Sequence, residues 1–334
     1  MPACRFFVAT ATQPGAIAIV QVLGESTDLL TALTGIDNWP LHRMRLVDLA
    51  GIDEGLAVRL KIGVAQIMPH GGPRVIQRLT AKLIDLGAEL ITHEASLDPQ
   101  DVYPEASDRY EAITLAALAR AESPLAIELL LDQPRRWREM NRLNLHFSEA
   151  DHARSDRFDR LINPPTVVLA GRPNVGKSTL SNALLGRSMS ITLDMPGTTR
   201  DYTAGRIDLA GLVVNWHDTP GIHESHDPIE RTAIDLARKL LQRADLLISM
   251  TDGHTAWADL PRPADLLVMN KIDLIRDSNA ATSNVKPSAR VAIPISAVTG
   301  EGLAALVTAV REFLVPSADL QHPSPWLFDP RLLA

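Results

Sequence analysis

The 334-residue sequence has little of three things: cysteine, net positive charge and long apolar runs. Its one cysteine, Cys4, excludes an internal disulfide and a zinc site built on several cysteines. Basic residues number 33 against 40 acidic ones, and the net charge of −7 means that any contact with nucleic acid needs a local patch. No apolar run reaches membrane-spanning length, so we expect a cytoplasmic protein without contact to a membrane.

The first hundred residues predict an α+β domain. Pro14-Gly15 splits the apolar N-terminus into two strand-like runs, which favours a β-hairpin over a signal peptide. The turn His70-Gly71-Gly72 precedes Pro73, a good first residue for a helix that continues to Gly87. This turn could be a ligand site, but we favour a tight helix start with a solvated histidine. The other expected elements are strands at Phe6–Thr12, Ala16–Leu23, Arg45–Leu49 and Leu56–Ile62 and a helix at Glu25–Leu33.

A helical part follows a polar boundary at Pro99–Pro104. We expect one helix at Ala106–Ala121 and a second that starts with Ser123 as N-cap and Pro124 in its first turn. Ile127, Leu130 and Leu131 form the buried stripe expected for this second helix. Four arginines then surround Trp137 and could hold RNA by phosphate contact and stacking, although the neighbouring acids favour a solvated helix face. These arginines are Arg135, Arg136, Arg138 and Arg142.

A glycine-rich stretch follows the run Thr166–Ala170, whose Val and Leu content is typical of a buried parallel strand. It reads Gly171-x-x-x-x-Gly176-Lys177-Ser178, and residues at helical spacing come next. Strand, glycine loop and helix in this order are the context of a phosphate-binding P-loop. Lys177 supplies positive charge to the β- and γ-phosphates, and Ser178 offers a hydroxyl to Mg²⁺. The loop residues expected at the nucleotide are Gly171, Asn174, Val175, Gly176, Lys177, Ser178 and Thr179.

Two later motifs predict switch loops. Gly197-Thr198-Thr199-Arg200-Asp201 can supply a threonine to Mg²⁺ when a γ-phosphate is present. Asp218-Thr219-Pro220-Gly221 ends the strand Leu212–Trp216. Asp218 there suits a carboxylate near Mg²⁺, and the Gly221 N–H can reach the γ-phosphate. Between the two loops we expect a strand pair that turns at Ala210-Gly211.

The last motifs concern the base. Asn270-Lys271-Ile272-Asp273 ends the strand Leu266–Met269. A carboxylate at Asp273 can accept hydrogen bonds from guanine N1–H and N2–H₂ together, and adenine offers no such donor pair. Asp273 therefore predicts specificity for GTP and GDP. Ser296-Ala297 follows the strand Val291–Ile295 and is expected to close over the base.

Five motifs in this order, each at the carboxyl end of a strand, predict an α/β fold. We expect a Ras-like P-loop GTPase domain, a mixed and mostly parallel sheet with helices on both faces. An α+β N-terminal domain and a short helical segment precede it. The expected domains are residues 1–100, a helical domain and linker at 101–163, the GTPase domain at 164–316 and a tail at 317–334.

With these motifs the chain resembles the tRNA-modifying GTPase family called MnmE or TrmE. Its P-loop, Gly197-Thr-Thr-Arg-Asp and Asp218-Thr-Pro-Gly-Ile have that family's form. The N-terminal Ala9-Thr-Ala-Thr-Gln-Pro-Gly and His70-Gly-Gly-Pro match its folate-binding, dimer-forming domain. The resemblance implies a potassium-activated GTPase that dimerises. It also implies that a flavoprotein partner and a tetrahydrofolate derivative take part in modifying the wobble uridine of certain tRNAs.

The resemblance also implies roles for single residues. Asn174 would bind K⁺, Ser178 and Thr199 would bind Mg²⁺, and Glu230 would position the attacking water beside the catalytic Lys177 and Thr199. An acid at the start of a helix, such as Glu230, is also an ordinary partner of the helix dipole. Further K⁺ ligands would come from the loop Leu193–Thr198, namely the Leu193 carbonyl, Met195 and Thr198.

The family's C-terminal Cys-x-Gly-Lys does not occur in this sequence, whose cysteine is Cys4. We therefore expect that this chain does not perform the uridine chemistry by itself. Two other functions stay open. One is a regulatory switch GTPase, for example in ribosome assembly, that modifies no tRNA. The other is a nucleotide-binding structural protein with negligible turnover.

Overall fold

The structure is a computed structural model that describes residues 4–10, 15–92, 97–186, 203–219, 238–277 and 291–333. The chain divides into two compact units, residues 1–116 and 117–334. The four-part division expected from the sequence is finer than this and stays a prediction. Among the described residues, no helix is both long enough and apolar enough to cross a membrane.

The first unit is built on a six-stranded sheet with the order β3-β4-β5-β2-β1-β6. Neighbouring strands are antiparallel except β1 and β6, which run parallel. The predicted N-terminal hairpin is confirmed, with Phe6 opposite Val22. The strands are β1 (Arg5–Val8), β2 (Val20–Leu23), β3 (Arg45–Asp48), β4 (Glu54–Lys61), β5 (Val64–Met68) and β6 (Glu89–Leu90).

Strand β5 is an addition to the elements expected from the sequence. Gly63 has a φ of +80°, a conformation that glycine adopts at little cost, and it reverses the chain directly after β4. The chain can then pair β5 with β4 on one side and with β2 on the other. A five-residue run with little alternation gives no clear strand signal by itself, so this strand depends on its neighbours.

Four helices are described between Ser26 and Leu118, and the last of them extends two residues past the boundary of the first unit. The first ends where expected, at Gly35 in the left-handed conformation, and the second starts at Pro73. The expected helix at Ala106–Ala121 is shorter, and the polar boundary contains a one-turn helix that the sequence analysis does not include. Phe6, Val22, Leu30, Ile67 and Leu79 belong to the fully buried core between sheet and helices. The helices are α1 (Ser26–Thr34), α2 (Pro73–Asp85), α3 (Pro99–Val102) and α4 (Arg109–Leu118).

The His70-Gly71-Gly72 turn lies close to the backbone of the N-terminal hairpin. A Cβ atom on Gly71 would come within 2.3 Å of the Gly15 carbonyl oxygen, so a side chain is excluded there. The His70 side chain is 70 % exposed, and its Nδ1 lies 2.9 Å from Asp53 Oδ1. The favoured interpretation, a tight helix start with a solvated histidine, agrees with this geometry.

The second unit contains the expected mixed, mostly parallel sheet, with the order β12-β11-β10-β7-β9-β8. Only β8 and β9 are antiparallel, and they turn at Ala210-Gly211 as predicted. Strands β7 and β10 are buried along almost their whole length, which requires cover on both faces of the sheet. The strands are β7 (Thr166–Gly171), β8 (Thr203–Leu209), β9 (Leu212–Asp218), β10 (Leu246–Thr251), β11 (Leu266–Met269) and β12 (Ile293–Pro294).

The helices of this unit include the pair that precedes the sheet in sequence, α5 and α6. A capping box at Ser148 starts the second of them, and the helix after the P-loop starts at Lys177. A short 3₁₀ helix at Pro330–Leu333 ends the described chain. The helices are α5 (Pro124–Arg142), α6 (Glu149–Ile162), α7 (Lys177–Leu185), α8 (238–243), α9 (Ile272–Asp277), α10 (Leu303–Leu314) and α11 (Ser317–Leu320).

The buried face of α5 differs from the expected one. Leu130 is buried, but Ile127 is 48 % and Leu131 is 63 % exposed, so the prediction for these two residues is wrong. The buried stripe instead contains Ala126, Gln133, Pro134 and Trp137. The cause is a distant segment that packs on this face: Trp137 Nε1 donates to the Trp326 carbonyl oxygen at 3.0 Å.

The arginines of α5 have two kinds of environment: some are exposed to solvent, and Arg136 contacts the distant segment that packs on this helix. Arg135 pairs with Asp132, and Arg142 pairs with Glu139, both on the exposed side of the helix. Arg136 donates to the carbonyl oxygen of His322 at 2.7 Å. The solvated-face interpretation therefore describes Arg135 and Arg142, whereas Trp137 is buried and unavailable for stacking on a base.

Candidate nucleotide-binding site

The described motif residues, in the P-loop, at Asp218, at Asn270-Lys271 and at Ser296-Ala297, lie at one edge of the second sheet. Strands β7, β9, β10 and β11 are parallel, so their carboxyl ends lie at the same edge. Strand β9 pairs with one side of β7 and β10 pairs with the other, so the strand order reverses at β7. A crevice at such a reversal of strand order is where doubly wound sheets bind ligands.

The P-loop has a backbone that only small residues allow. Gly176 has a φ of +101°, and a Cβ atom there would lie 2.3 Å from Asn270 Nδ2. A Cβ atom on Gly171 would lie 2.6 Å from the Met250 carbonyl oxygen. The two glycines of the motif therefore let the loop approach β10 and the Asn270 side chain closely. Asn174, at φ +65°, adopts the left-handed conformation that asparagine tolerates well.

Lys177 is held inside the loop. Its Nζ donates to the carbonyl oxygens of Gly171 at 3.0 Å and Arg172 at 3.1 Å. Burial lowers the pKa of Lys177, and the Asp218 carboxylate partly offsets this effect. Among the described residues, the hydrogen-bond acceptors of this buried ammonium are two carbonyl oxygens, so it is well placed to gain from an arriving phosphate.

Ser178 and Asp218 form the pair expected at the metal. The Ser178 hydroxyl donates to Asp218 Oδ2 at 2.8 Å. Burial raises the pKa of Asp218, while the hydrogen bond from Ser178 and the charge of Lys177 lower it. Among the described residues, Asp218 Oδ1 is buried and has no hydrogen-bond partner. A hydroxyl beside an unsatisfied carboxylate oxygen fits Mg²⁺ with its bound water.

Asn270 connects three loops of the site. Its Nδ2 donates to the Val175 carbonyl oxygen, and its Oδ1 accepts from the Ala297 N–H, both at 2.9 Å. Asn270 is buried, so neither bond competes with solvent. The P-loop, the end of β11 and the Ser296-Ala297 loop are thus held in one arrangement by a single carboxamide.

Lys271 adds a second link between the same regions. Its Nζ donates to the Asn174 carbonyl oxygen at 2.7 Å and lies 3.0 Å from Asp252 Oδ2. Although burial works against it, hydrogen bonds from Lys271 and Thr255 lower the pKa of Asp252 to about 2. Asp252 is a site residue that the sequence analysis missed. Its position at the carboxyl end of β10 is the signal that could have identified it.

Asp273 and Ser296 are the residues expected at the base. Asp273 lies in the first turn of α9, directly after the link made by Lys271. Ser296 is buried, and its Oγ accepts from the Thr299 N–H at 3.1 Å, which holds the following turn. In the parts of the chain that the structure describes, no cluster of three or more His, Cys, Asp or Glu forms a metal site.

Six of the expected site residues lie outside the described residues. Their roles stay predictions. They are Leu193, Met195, Thr198, Thr199, Gly221 and Glu230.

The chain is similar to known proteins in two ways: one family model matches its GTPase part, and whole relatives match it over most of its length. Residues 166–279 match the family described as 50S ribosome-binding GTPase. A protein of Bordetella avium named tRNA modification GTPase MnmE is 31 % identical over 388 residues, with 96 % of this chain and 83 % of that protein covered. A protein of the same name from Azoarcus sp. is 30 % identical, with 90 % and 79 % covered. Among solved structures, the cytosolic domain of the T. maritima FeoB iron transporter in GDP form I is 25 % identical. The match covers 45 % of this chain and 63 % of the FeoB chain, with a TM-score of 0.33.

Proposed function

The chain belongs to the MnmE family of tRNA modification GTPases, and from this premise we propose that it hydrolyses GTP to GDP and phosphate with Mg²⁺. The nucleotide occupies the crevice between the P-loop and the motif Asn270–Asp273. The observation that carries the proposal is the set of contacts that Asn270 and Lys271 already make with the P-loop. These contacts support the proposal because they connect the P-loop with the segment that carries Asp273, the residue proposed to select guanine.

The chain's own groups supply charge and position. Lys177 would exchange its carbonyl partners for phosphate oxygens, and Ser178 and Asp218 would hold Mg²⁺. When bound, the metal offsets the negative charge on the phosphates. Thr199 would join this metal site, and Glu230 would orient the attacking water; both roles rest on the family resemblance. Catalysis is then mostly placement and electrostatic stabilisation.

A potassium ion is the second proposed cation. The Asn174 backbone is fixed by Lys271, so its side-chain amide starts from a defined place beside the phosphates. An amide oxygen is a suitable ligand for a hard cation, and a cation there can do the work of an arginine finger. The loop residues Leu193, Met195 and Thr198 are proposed as further ligands by family resemblance.

The N-terminal unit is proposed to form a homodimer and to bind a tetrahydrofolate derivative. Leu46, Leu56 and Met68 stand side by side on three neighbouring strands, and Leu46 is 64 % exposed. An apolar stripe of this kind suits contact with a second copy of the chain. By family resemblance we further propose a flavoprotein partner and a cytoplasmic location. We also propose a tRNA partner whose wobble uridine becomes modified in a reaction that this chain does not perform by itself.

The test of the nucleotide assignment is a change of base specificity. Asp273→Asn should weaken GTP binding and favour xanthosine triphosphate, because the lost charge-assisted pair leaves a mismatch of about 2–4 kcal/mol. Binding and turnover are measured for both nucleotides with the wild type and the variant. Equal affinity of the variant for the two nucleotides would contradict the role of Asp273.

A second experiment separates the possible cellular functions. Modified-nucleoside profiles of tRNA are compared between a deletion strain and its parent. Loss of a wobble-uridine modification supports the tRNA role, and unchanged profiles with measurable GTP turnover favour a regulatory switch. Nucleotide binding with negligible turnover would favour a structural role.

A further inference from the structure

Two side-chain hydrogen bonds connect helix α7 with strand β9. The first joins Ser178 to Asp218, as described above. The second runs from Trp216 Nε1 to Ser181 Oγ at 3.0 Å. Ser178 and Ser181 are one helical turn apart, and Trp216 and Asp218 lie on the same face of the strand. The two bonds therefore join the same two elements at successive levels.

The second bond is sealed inside the protein. Ser181 and Trp216 are 0 % and 1 % exposed, so neither solvent nor a nucleotide can reach them. A buried indole N–H that loses its acceptor bears the full cost of its desolvation. The bond therefore holds one definite separation between α7 and β9.

The strand side of this connection is itself fixed. Thr219, the residue after β9, donates from both its N–H and its Oγ1 to the Leu169 carbonyl oxygen, at 3.2 Å and 3.0 Å. This double contact anchors the end of β9 to β7, at the centre of the sheet. The hydrogen bond from Trp216 to Ser181 then fixes α7, the helix that begins with Lys177 and Ser178, relative to this anchored strand.

We propose that the hydrogen bond between Trp216 and Ser181 positions the Mg²⁺-binding pair Ser178 and Asp218, a role that rests on the proposed function as a Mg²⁺-dependent GTPase. Mg²⁺ requires near-ideal octahedral geometry at 2.0–2.1 Å, so it is sensitive to small displacements of its ligands. With the second bond lost, α7 can turn about the remaining one. Trp216 and Ser181 are positioning residues, since both act through their neighbours.

The experiment measures metal binding separately from catalysis. Dissociation of a fluorescent GDP analogue is followed over a range of free Mg²⁺ for the wild type, Ser181→Ala, Trp216→Phe and the double variant. We expect the half-maximal Mg²⁺ concentration to rise about threefold to tenfold in each single variant, the range of one net hydrogen bond. The double variant should shift no further, because all three lack the same bond.

Trp137→Phe is the matched control. Trp137 lies on α5, remote in sequence from the motif loops, and its indole also donates a buried 3.0 Å bond, to the Trp326 carbonyl oxygen. We expect it to lower the melting temperature without moving the Mg²⁺ midpoint. If Trp216→Phe does not fold, Ser181→Ala, which keeps the indole, decides the question.

The outcomes distinguish the two claims. A wild type whose nucleotide dissociation ignores Mg²⁺ would contradict the proposed function. A wild type that responds to Mg²⁺ while the variants have the same midpoint would overturn only the positioning role. Additive shifts in the double variant, or an equal shift in Trp137→Phe, would overturn it as well.

Discussion

Replacing Asn270 with alanine tests whether one buried carboxamide organises the nucleotide site. The change removes the bond to the Val175 carbonyl oxygen and the bond from the Ala297 N–H. Among the described residues, neither backbone group has another hydrogen-bond partner, and both residues are buried. The P-loop and the Ser296-Ala297 loop lose their shared anchor.

The expected magnitude follows from these two groups. A buried donor or acceptor without a partner costs about 1–3 kcal/mol, so the two together cost about 2–6 kcal/mol. Part of this cost disappears in the free protein when the loops relax, and it returns when a nucleotide requires both loops in place. We therefore expect GDP affinity to fall at least about tenfold, which corresponds to about 1.4 kcal/mol.

The assay compares two variants, each of which loses a buried carboxamide that makes two hydrogen bonds, at two different positions in the fold. Gln133 is also buried and also makes two bonds: its Oε1 accepts from the Trp326 N–H, and its Nε2 donates to the Leu129 carbonyl oxygen. Calorimetric titration gives GDP affinity, and thermal melting gives stability. Asn270→Ala and Gln133→Ala should both lower the melting temperature by about 4 °C or more. Only Asn270→Ala should weaken GDP binding.

One result would refute this reasoning. If Asn270→Ala melts lower but binds GDP as the wild type does, the carboxamide stabilises the fold and does not organise the site. If both variants lose affinity equally, the loss reflects general stability. Either outcome would remove the main support for the preformed framework.

The remaining predictions concern a cation, the attacking water and the single thiol. Wild-type hydrolysis should be faster in K⁺ than in Na⁺, and Asn174→Ala should abolish that ratio; equal wild-type rates in the two salts would contradict it. Glu230→Ala should lower turnover by about 10²–10⁴ with little change in GTP affinity. If the Glu230→Ala variant turns over GTP as fast as the wild type, Glu230 is an ordinary acid at the start of a helix. Cys4→Ser should leave turnover unchanged, and iodoacetamide should react slowly with Cys4 at pH 7. Burial, and then the charges of Glu25 and Asp28, raise the pKa of that thiol, so little of the reactive thiolate is present at pH 7. Rapid alkylation would contradict this prediction.

Several features of the site could be predicted from the sequence because their causes are local. Gly171 and Gly176 are required by the close approach of the P-loop, and this requirement is visible as a spacing. The Ala210-Gly211 turn has positive φ at both residues, which a glycine signals. Because parallel strands end at one edge of a sheet, the order of the motifs predicts that the P-loop, Asn270 and Ala297 lie close together, and the contacts of Asn270 confirm this.

Other features depend on residues far apart in sequence. Asp252 becomes a site residue only because β10 lies beside β11 and brings its carboxylate to Lys271. The positioning of Ser178 by Ser181 and Trp216 needs the packing of α7 on β9. A lone serine and a lone tryptophan give no signal for such a bond.

The P-loop between β7 and α7 and the mixed sheet could be predicted from the sequence, because short patterns with a local physical cause indicate them; the guanine specificity of Asp273 stays a prediction. Which face of α5 is buried depends instead on a distant part of the chain. That helix carries apolar residues on two faces, and its own periodicity favours Ile127 and Leu131 as much as Leu130. The choice is made by Trp326, whose carbonyl oxygen accepts the Trp137 N–H from 189 positions away. A contact over that distance exists only after the chain has folded, so no local pattern records it.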